Sequence, residues 1–246
     1  LVGGSGSDTL TGLNSEARWQ ITGSQSGSYI SVNTLSYSGM KNLVGGSATD
    51  TLDYSLFVTS VVIDLKGTAT GFSSIYGFEN VIGGTGADTI TGDAGDNVII
   101  GGAGNDTLEG GAGNDAFIFT AGWGKDTVSD VSGMDVLNFT ALTANLSVAL
   151  GAGISLGDGS GNTITVAGND FESLLAGTGS DTFTIADGAK LALTVNGGAG
   201  FDMLTYAGSV LARSIQLNAV AATVDTTPAT DAKFCSIDNP ECEACQ

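Results

Sequence analysis

Four nonapeptides follow one another without a gap from Gly83 to Ile118 and read GGTGADTIT, GDAGDNVII, GGAGNDTLE and GGAGNDAFI. Each has glycine among its first four residues, Asp or Asn at the sixth position and an apolar residue at the eighth. Glycine allows the positive φ angles and close backbone contacts of a tight turn. The pattern predicts a six-residue turn and then a three-residue strand whose middle side chain points inward. These inward side chains are expected to be Ile90, Ile99, Leu108 and Phe117.

The pattern G-G-x-G-x-D-x-U-x, with U apolar, resembles the repeats-in-toxin (RTX) family. The resemblance implies that each repeat is a turn plus a strand of a parallel β-roll. It also implies a chain that stays unfolded in the cytosol, is exported and folds outside, since extracellular calcium modules function at ~10⁻⁴–10⁻³ M. The expected fold class is all-β, a parallel β-solenoid (β-helix) with an RTX β-roll at 83–118.

The sixth positions predict a calcium site. Two nonapeptides close one coil and coils stack at ~4.8 Å, so Asp88 lies beside Asp106 and Asn97 beside Asp115. Two carboxylates ~5 Å apart at an effective dielectric of ~20 repel by roughly 3 kcal/mol unless a cation lies between them. Calcium accepts six to eight oxygens in loose geometry, whereas magnesium needs a stricter octahedron and zinc prefers nitrogen and sulfur. The alternative is that Asp only caps the turn.

The second repeat departs from the pattern, with Asp93 at its second position and Asn97 at its sixth. Because an amide carries no charge, the side formed by Asn97 and Asp115 is expected to be the weaker one. The tandem is expected to be a calcium-dependent patch of about two coils within a longer solenoid that is mostly independent of metal.

The segment after the tandem also resembles the RTX family, in which a G-x-G-x-D-x-I-x-D-F stretch helps to close the roll. Here Gly122–Asp130 reads GWGKDTVSD, and Val131 replaces the usual Phe. We expect Asp126 to stack on Asp106 and to contact calcium. Asp130 is expected to approach the same edge, and Asp135 is a weaker candidate. Trp123 and Trp19 are expected to be packed residues rather than ligand platforms.

Single units of the same type recur at 3–11, 45–53, 176–184 and 197–205. Their aspartates are weaker ligand candidates because no aspartate-bearing repeat follows two positions on: Asp8, Asp50, Asp181 and Asp202. The stretches between units (12–44, 54–82 and 119–175) are expected to form coils held by apolar stacking. Three similar pentapeptides, at 40–44, 78–82 and 171–175, are each interpreted as one strand entering one turn, and the segments 45–65 and 197–217 match without gaps.

The expected domain organisation is a solenoid over 1–223, with a flank or cap at 119–140, and a linker with a cysteine tail over 224–246. The tail carries all three cysteines, Cys235, Cys242 and Cys245, together with both prolines. An odd number of cysteines in an apparently extracellular chain favours a disulfide to another chain or to a partner beyond the sequence. Zinc binding is the alternative, although a fourth ligand is missing.

Composition excludes several functions. The chain has 246 residues, 26 acidic against 7 basic side chains and a net charge of −19, which disfavours nucleic-acid binding and anionic membranes. No apolar run approaches the ~20 residues of a membrane span. The absence of histidine removes Ser-His-Asp triads, Cys-His dyads and H-E-x-x-H zinc sites, so we expect no catalysis. The N-terminus opens inside a repeat, which indicates a fragment or a processed product.

These observations favour a calcium-binding, extracellular or cell-surface structural segment that functions in adhesion or in building a fibre. Expected partners are further copies, joined through solenoid ends or tail cysteines, and a cell-surface or glycan target. The alternative is the folding and secretion module of a larger exoenzyme whose catalytic domain lies outside this chain. A third possibility is a carbohydrate-active β-helix.

Overall fold

The computed structural model describes residues 1–167, 171–186, 189, 193–207 and 222–224. All regular elements within these ranges are β-strands. Those of the first part are β1 (Thr9–Thr11), β2 (Ala17–Gly23), β3 (Ser26–Ile30), β4 (Thr34–Ser38), β5 (Asn42–Val44), β6 (Asp50–Asp53), β7 (Val62–Asp64), β8 (Thr68–Ala69), β9 (Ser74–Tyr76), β10 (Asn80–Ile82), β11 (Thr89–Thr91) and β12 (Val98–Ile100). Those of the second part are β13 (Thr107–Glu109), β14 (Ala116–Ile118), β15 (Lys125–Ser129), β16 (Val136–Asn138), β17 (Ser147–Leu150), β18 (Ile154–Gly157), β19 (Thr163–Ala167), β20 (Ser173–Leu175), β21 (Thr182–Ala186), β22 (Thr194–Asn196), β23 (Asp202–Ala207) and β24 (Ala222–Val224).

The strands of the tandem alternate between two sheets. Strand β10 pairs in parallel with β12, and β12 pairs with β14, while β11 pairs with β13 on the other sheet. Val81 lies opposite Ile99, and Ile90 lies opposite Leu108. Partners are therefore separated by two nonapeptides, which confirms the parallel roll with two repeats per coil.

The described strands form two long sheets and one short sheet. The ten-stranded sheet has the order β22-β20-β16-β14-β12-β10-β6-β2-β3-β4, and the eleven-stranded sheet has the order β24-β23-β21-β17-β18-β19-β15-β13-β11-β7-β8. A three-stranded sheet, β1-β5-β9, is parallel throughout and precedes the turns into β6 and β10. The expected all-β solenoid is confirmed.

The core lies between the sheets as stacked rows of inward side chains. The four predicted inward residues are completely buried, which confirms the strand periodicity: Ile90, Ile99, Leu108 and Phe117. Aromatic side chains fill the core on both sides of the tandem. Trp19 makes an edge contact with Phe78 at 5.6 Å between ring centroids, and Phe119 stacks on Phe139 at 4.8 Å. Burying these rings provides much of the apolar stabilisation.

Antiparallel segments interrupt the parallel coils, so the expectation of simple coils between the repeats was wrong in part. Strands β2, β3 and β4 form an antiparallel meander at one edge of the ten-stranded sheet. Strands β17, β18 and β19 form a second meander within the eleven-stranded sheet, between β15 and β21. Only β17 and β19 pair with solenoid strands, so this meander widens the sheet by two strands.

Each of the three pentapeptides enters a sheet as expected, since their last three residues form β5, β10 and β20. Within the described residues, no helix has the length and apolarity needed to cross a membrane. The cysteine tail, with Cys235, Cys242 and Cys245, and the second half of the 197–217 match lie outside the described residues. The domain boundaries at 223 and 224 therefore stay a prediction.

Candidate metal centre

Acidic side chains and one asparagine form three rows along the edges of the solenoid, where strands start. Most stand one residue before a strand, whereas Asp50 and Asp202 are the first residues of β6 and β23 and Asp126 is the second residue of β15. The first row is Asp88, Asp106 and Asp126, in turns from the ten-stranded to the eleven-stranded sheet. The second row is Asp50, Glu79, Asn97, Asp115, Asp135 and Glu172, in turns that enter the ten-stranded sheet. The third row is Asp181 and Asp202.

The first row is a ladder of carboxylates and backbone amides. The amide of Asp88 donates to Oδ1 of Asp106 at 2.8 Å, and the amide of Asp106 donates to Oδ1 of Asp126 at 2.9 Å. Asp88 itself accepts from the amides of Val61 at 2.9 Å and Gly84 at 2.7 Å. The structure thus brings together the three residues that the sequence predicted to stack.

The second row repeats the same arrangement on the opposite edge. The amide of Asn97 donates to Oδ1 of Asp115 at 2.7 Å, and the amide of Asp115 donates to Oδ1 of Asp135 at 2.8 Å. Glu172 continues the row, because its Oε2 accepts from the amide of Asp135 at 2.8 Å. Glu79 does the same for Asp50 at 2.8 Å.

Sequence reasoning missed these two glutamates. The available signal was the charged residue in the pentapeptides at 78–82 and 171–175, which stands one position before the strand. Asp88, Asp106 and Asp115 of the tandem occupy that same position relative to their strands. The position of Glu79 and Glu172 relative to their strands is therefore enough to place them in the second row.

Asp130 lies at the opposite edge from the one expected. The expectation was that it would approach Asp126, but β15 runs from one edge of the solenoid to the other, with Asp126 near its start and Asp130 directly after its end. Asp130 accepts from the amide of Gly111 at 3.1 Å and joins Asp115 and Asp135. Carboxylate oxygens of these three buried residues lie within 4.8 Å of one another, the one such trio in the part of the chain that the structure describes.

Several carboxylate oxygens are buried without a hydrogen-bond donor. Oδ2 of Asp106, Asp115, Asp130 and Asp135 all have this character. An unpaired charged oxygen in the protein interior is costly and calls for a counter-charge. The candidate metal ligands here are all oxygen atoms, which suits a hard cation such as calcium rather than zinc. The residues present therefore fit a calcium ion.

Burial also shifts the protonation of these groups. Burial, reinforced by neighbouring carboxylates and opposed by backbone hydrogen bonds, raises the pKa of Asp106 to about 6 and that of Asp126 to about 7. Burial, together with Asp130 and Glu172, raises the pKa of Asp135 to about 7. The pKa values of Asp115 and Asp130 are raised as well, first by burial. Proton binding and cation binding are thus alternative ways to neutralise the rows.

Acidification is expected to stabilise the calcium-free protein. These folded-state pKa values lie above the ordinary 3.8 of Asp, so the folded chain binds more protons than the unfolded chain between pH 4 and 7. This stabilisation is complete below about pH 4 and is lost as the pH rises through 6 to 7. In EGTA the Tm should therefore rise from pH 7.5 to pH 5. A Tm in EGTA that falls over this interval would contradict the assignment of these buried carboxyls.

The turns leave room only for glycine at the positions where coils approach. Gly104 has φ of +139°, and a Cβ there would lie 2.0 Å from the carbonyl oxygen of Gly86 on the preceding coil. A Cβ on Gly110 would lie 2.4 Å from Oδ2 of Asp115 and 2.2 Å from Oδ1 of Asp130. The glycines thus let the carboxylates and backbone carbonyls of adjacent turns converge.

The isolated units at the N-terminus lie in less acidic surroundings. Asp8 is partly buried, and its carbonyl oxygen accepts from the amide of Lys41 at 3.0 Å on the next coil. Asp50 is completely buried, and burial raises its pKa to about 6. Neither joins a trio of carboxylates within the described residues. Their role as ligands stays a prediction.

The units near the C-terminus stack on each other although no aspartate-bearing repeat follows two positions on in the sequence, and their role as ligands stays a prediction. The amide of Asp181 donates to Oδ1 of Asp202 at 3.0 Å, since their turns lie on adjacent coils. The two aspartates are 21 residues apart, which is longer than two nonapeptides. Trp19 and Trp123 are both buried among aromatic rings, as expected.

Comparison with known protein families agrees with this geometry. The family model of the RTX calcium-binding nonapeptide repeat matches four copies, within residues 1–15 and 82–117. A search of curated proteins found no match. RTX nonapeptide repeats bind Ca²⁺. The unpaired Oδ2 atoms of Asp106 and Asp115 lie in the turns of the matched tandem, and those of Asp130 and Asp135 lie in the turn that follows it. The chain therefore carries RTX calcium-binding nonapeptide repeats, folded as a parallel β-roll.

Proposed function

We propose that this chain is a structural segment of an extracellular or cell-surface protein, stiffened by calcium for adhesion or for building a fibre. The observation that carries the proposal is the set of buried, unpaired carboxylate oxygens along both edges of the tandem. They lie between stacked coils rather than in a cleft, so a cation there acts on the stacking of the coils. RTX proteins are typically secreted bacterial proteins, which supports an extracellular location.

The geometry supports two groups of ligands. On one edge they are Asp88, Asp106 and Asp126, and on the other Asp115, Asp130 and Asp135, with the amide oxygen of Asn97 beside them. Bound calcium supplies positive charge that offsets the repulsion between coils. Asp106 and Asp135 accept backbone amides of the preceding coil through Oδ1, so they orient the turn and leave Oδ2 available to a cation.

Folding is coupled to calcium in this proposal. The buried carboxylates oppose coil stacking at neutral pH, and a ligand that binds only the folded state stabilises it by mass action. Extracellular calcium modules function at ~10⁻⁴–10⁻³ M. The segment would then stay unstacked where calcium is scarce and become rigid outside the cell.

The adhesive role is distinguished from a secretion module by the flanking gene sequence. Further long repeats on either side would support the adhesin or fibre. A histidine-containing catalytic domain upstream would overturn it in favour of the exoenzyme alternative. Binding to glycans that survives replacement of Asp106 and Asp115 would instead support a carbohydrate-active β-helix.

Self-association through solenoid ends is part of the same proposal. Within the described residues, β1 pairs on one side only, so its other edge presents unpaired backbone groups. Such an edge can pair with another copy of the chain. Mass photometry and negative-stain microscopy at millimolar calcium should show oligomers or filaments. Monomers alone under these conditions would exclude assembly by this chain.

A further inference from the structure

Two turns outside the tandem, 176–181 and 197–202, lie one above the other on adjacent coils. The first joins β20 to β21 and the second joins β22 to β23. Phe183 lies opposite Leu204 in the parallel pair that follows. Both turns lead from the ten-stranded to the eleven-stranded sheet, as the turns 83–88 and 101–106 do. The family match does not include them.

The backbones of these turns approach each other as closely as those of the tandem. A Cβ on Gly198 would lie 2.0 Å from the carbonyl oxygen of Gly177, and one on Gly200 would lie 1.9 Å from that of Gly179. The equivalent distances in the tandem are 2.1 Å from Gly102 to the Gly84 oxygen and 2.0 Å from Gly104 to the Gly86 oxygen.

The hydrogen bonds between the turns also correspond. Ala199 donates its amide to the Gly177 carbonyl at 3.0 Å, and Met203 donates to the Asp181 carbonyl at 2.8 Å. In the tandem, Ala103 donates to Gly84 at 3.0 Å and Thr107 donates to Asp88 at 2.8 Å. The two pairs of turns therefore have the same stacked conformation.

The carboxylates are placed in the same way. Oδ1 of Asp181 accepts from the amide of Leu146 at 2.7 Å, and Oδ1 of Asp202 accepts from the amide of Asp181 at 3.0 Å. Asp181 is completely buried, and its Oδ2 has no hydrogen-bond donor. A Cβ on Gly197 would lie 2.4 Å from Oδ2 of Asp202, compared with 2.5 Å from Gly101 to Oδ2 of Asp106. The first-position glycine thus gives its carboxylate the same space in both places.

The third row is separated from the first row along the same edge. Strands β18 and β19 lie between β15, which carries Asp126, and β17, which follows Leu146. No carboxylate of the third row donates to or accepts from the first row in the described residues. A cation bound here would share no ligand with the tandem.

We propose that Asp181 and Asp202, with carbonyl oxygens of the turn 176–179, form a separate calcium site outside the family-matched repeats. The inference rests on calcium binding by the tandem, whose turn geometry it extends. The unpaired, buried Oδ2 of Asp181 provides the charge, and the stacked carbonyls provide further oxygen ligands. Calcium bound at this site would stabilise the coils that follow the antiparallel meander of β17, β18 and β19.

The test is calcium stoichiometry by equilibrium dialysis on the full chain and on the double variant Asp181→Asn/Asp202→Asn. Asparagine keeps an oxygen that can accept the backbone hydrogen bond, as Asn97 does from Asp93 at 2.9 Å. We expect the variant to bind one calcium ion fewer per chain while the remaining ions keep their affinity within about twofold. The matched control, Glu109→Gln/Asp158→Asn, removes two charges outside the rows and should bind as the original chain does.

The outcomes separate this inference from calcium binding by the tandem. If the original chain binds no calcium, both fail. If it binds calcium and the double variant binds the same number of ions, only the separate site is wrong. Hydrogen exchange provides a second measurement, should the double variant not fold. In a chain with Asp115, Asp130 and Asp135 changed to Asn, calcium should still protect the amides of β21 and β23, and unchanged exchange there would overturn the site.

Discussion

Replacing Asp115, Asp130 and Asp135 together by asparagine should raise the free calcium concentration at the midpoint of folding by about a hundredfold or more. These carboxylates form the described trio within 4.8 Å, and each has a buried oxygen without a donor. Calcium affinity depends on the number of charged ligands, over about five orders of magnitude among natural sites. Loss of about tenfold corresponds to ~1.4 kcal/mol, so the change is readily measured by titration followed with circular dichroism.

The same variant should behave in the opposite way without calcium. In EGTA at pH 7.5 the three buried charges oppose folding, so the variant is expected to melt at a higher temperature than the original chain. The matched control is Glu16→Gln/Glu109→Gln/Asp158→Asn, which removes three charges outside the rows. A variant with unchanged calcium dependence, or one that resembles this control, would contradict the site.

Replacing Gly104 by alanine should destabilise the calcium-loaded protein by about 3 kcal/mol or more. The added Cβ meets the Gly86 carbonyl at 2.0 Å, and φ of +139° is unfavourable for alanine. Backbone strain of this kind costs ~1–3 kcal/mol, and overpacking adds ~1–3 kcal/mol. For a chain of this size each 1 kcal/mol lowers the Tm by ~2–4 °C, so the Tm should fall by roughly 6–12 °C.

The control for Gly104 is Gly159→Ala in the β18–β19 hairpin. Gly159 also has a positive φ, of +75°, but a Cβ there would meet nothing within 4 Å. Alanine at position 159 therefore has a positive φ, with less strain than at position 104, and lacks the collision between coils. Equal losses of Tm in the two variants would show that close stacking of the turns is not what requires glycine.

The structure of the tandem could be predicted in detail because its residues allow few alternative conformations. Glycines at fixed spacing require the turns, and one apolar residue per repeat, such as Ile99, decides which side of each strand faces the core. The stacking of Asp88 on Asp106 follows from two repeats per coil. Local sequence thus specifies both the turns and their register.

The antiparallel meanders have weaker sequence signals than the tandem. The turn between β2 and β3 contains Gln25, which has φ of +58° and is the single non-glycine residue with positive φ among the described residues. Glutamine is not a usual hairpin residue. The stretch 23–27 reads GSQSG and does carry the glycine and serine of a turn, but its strands were interpreted as coils. The turn at 158–162 reads DGSGN and did carry a hairpin signal, but its strands were interpreted as coils.

Asp130 was misplaced although the nonapeptide register extends beyond the tandem. The residues from Asp130 to Asp135 read DVSGMD and occupy the place of a nonapeptide turn, with Asp130 at the position of the first glycine. Asp126 and Asp130 are spaced as Asp106 and Gly110 are, and the two segments pair in register, so this turn lies at the edge opposite Asp126. Likewise, Asp181 and Asp202 are 21 residues apart, so a spacing of two nonapeptides does not predict their contact.

The most direct test of calcium-dependent coil stacking is circular dichroism and thermal melting of the same chain in millimolar calcium and in EGTA at pH 7.5. We expect a β-sheet spectrum with a cooperative transition in calcium. In EGTA, part of the β signal should be lost and the Tm should fall. Unchanged spectra together with an unchanged Tm would contradict calcium as the cation that holds these coils together.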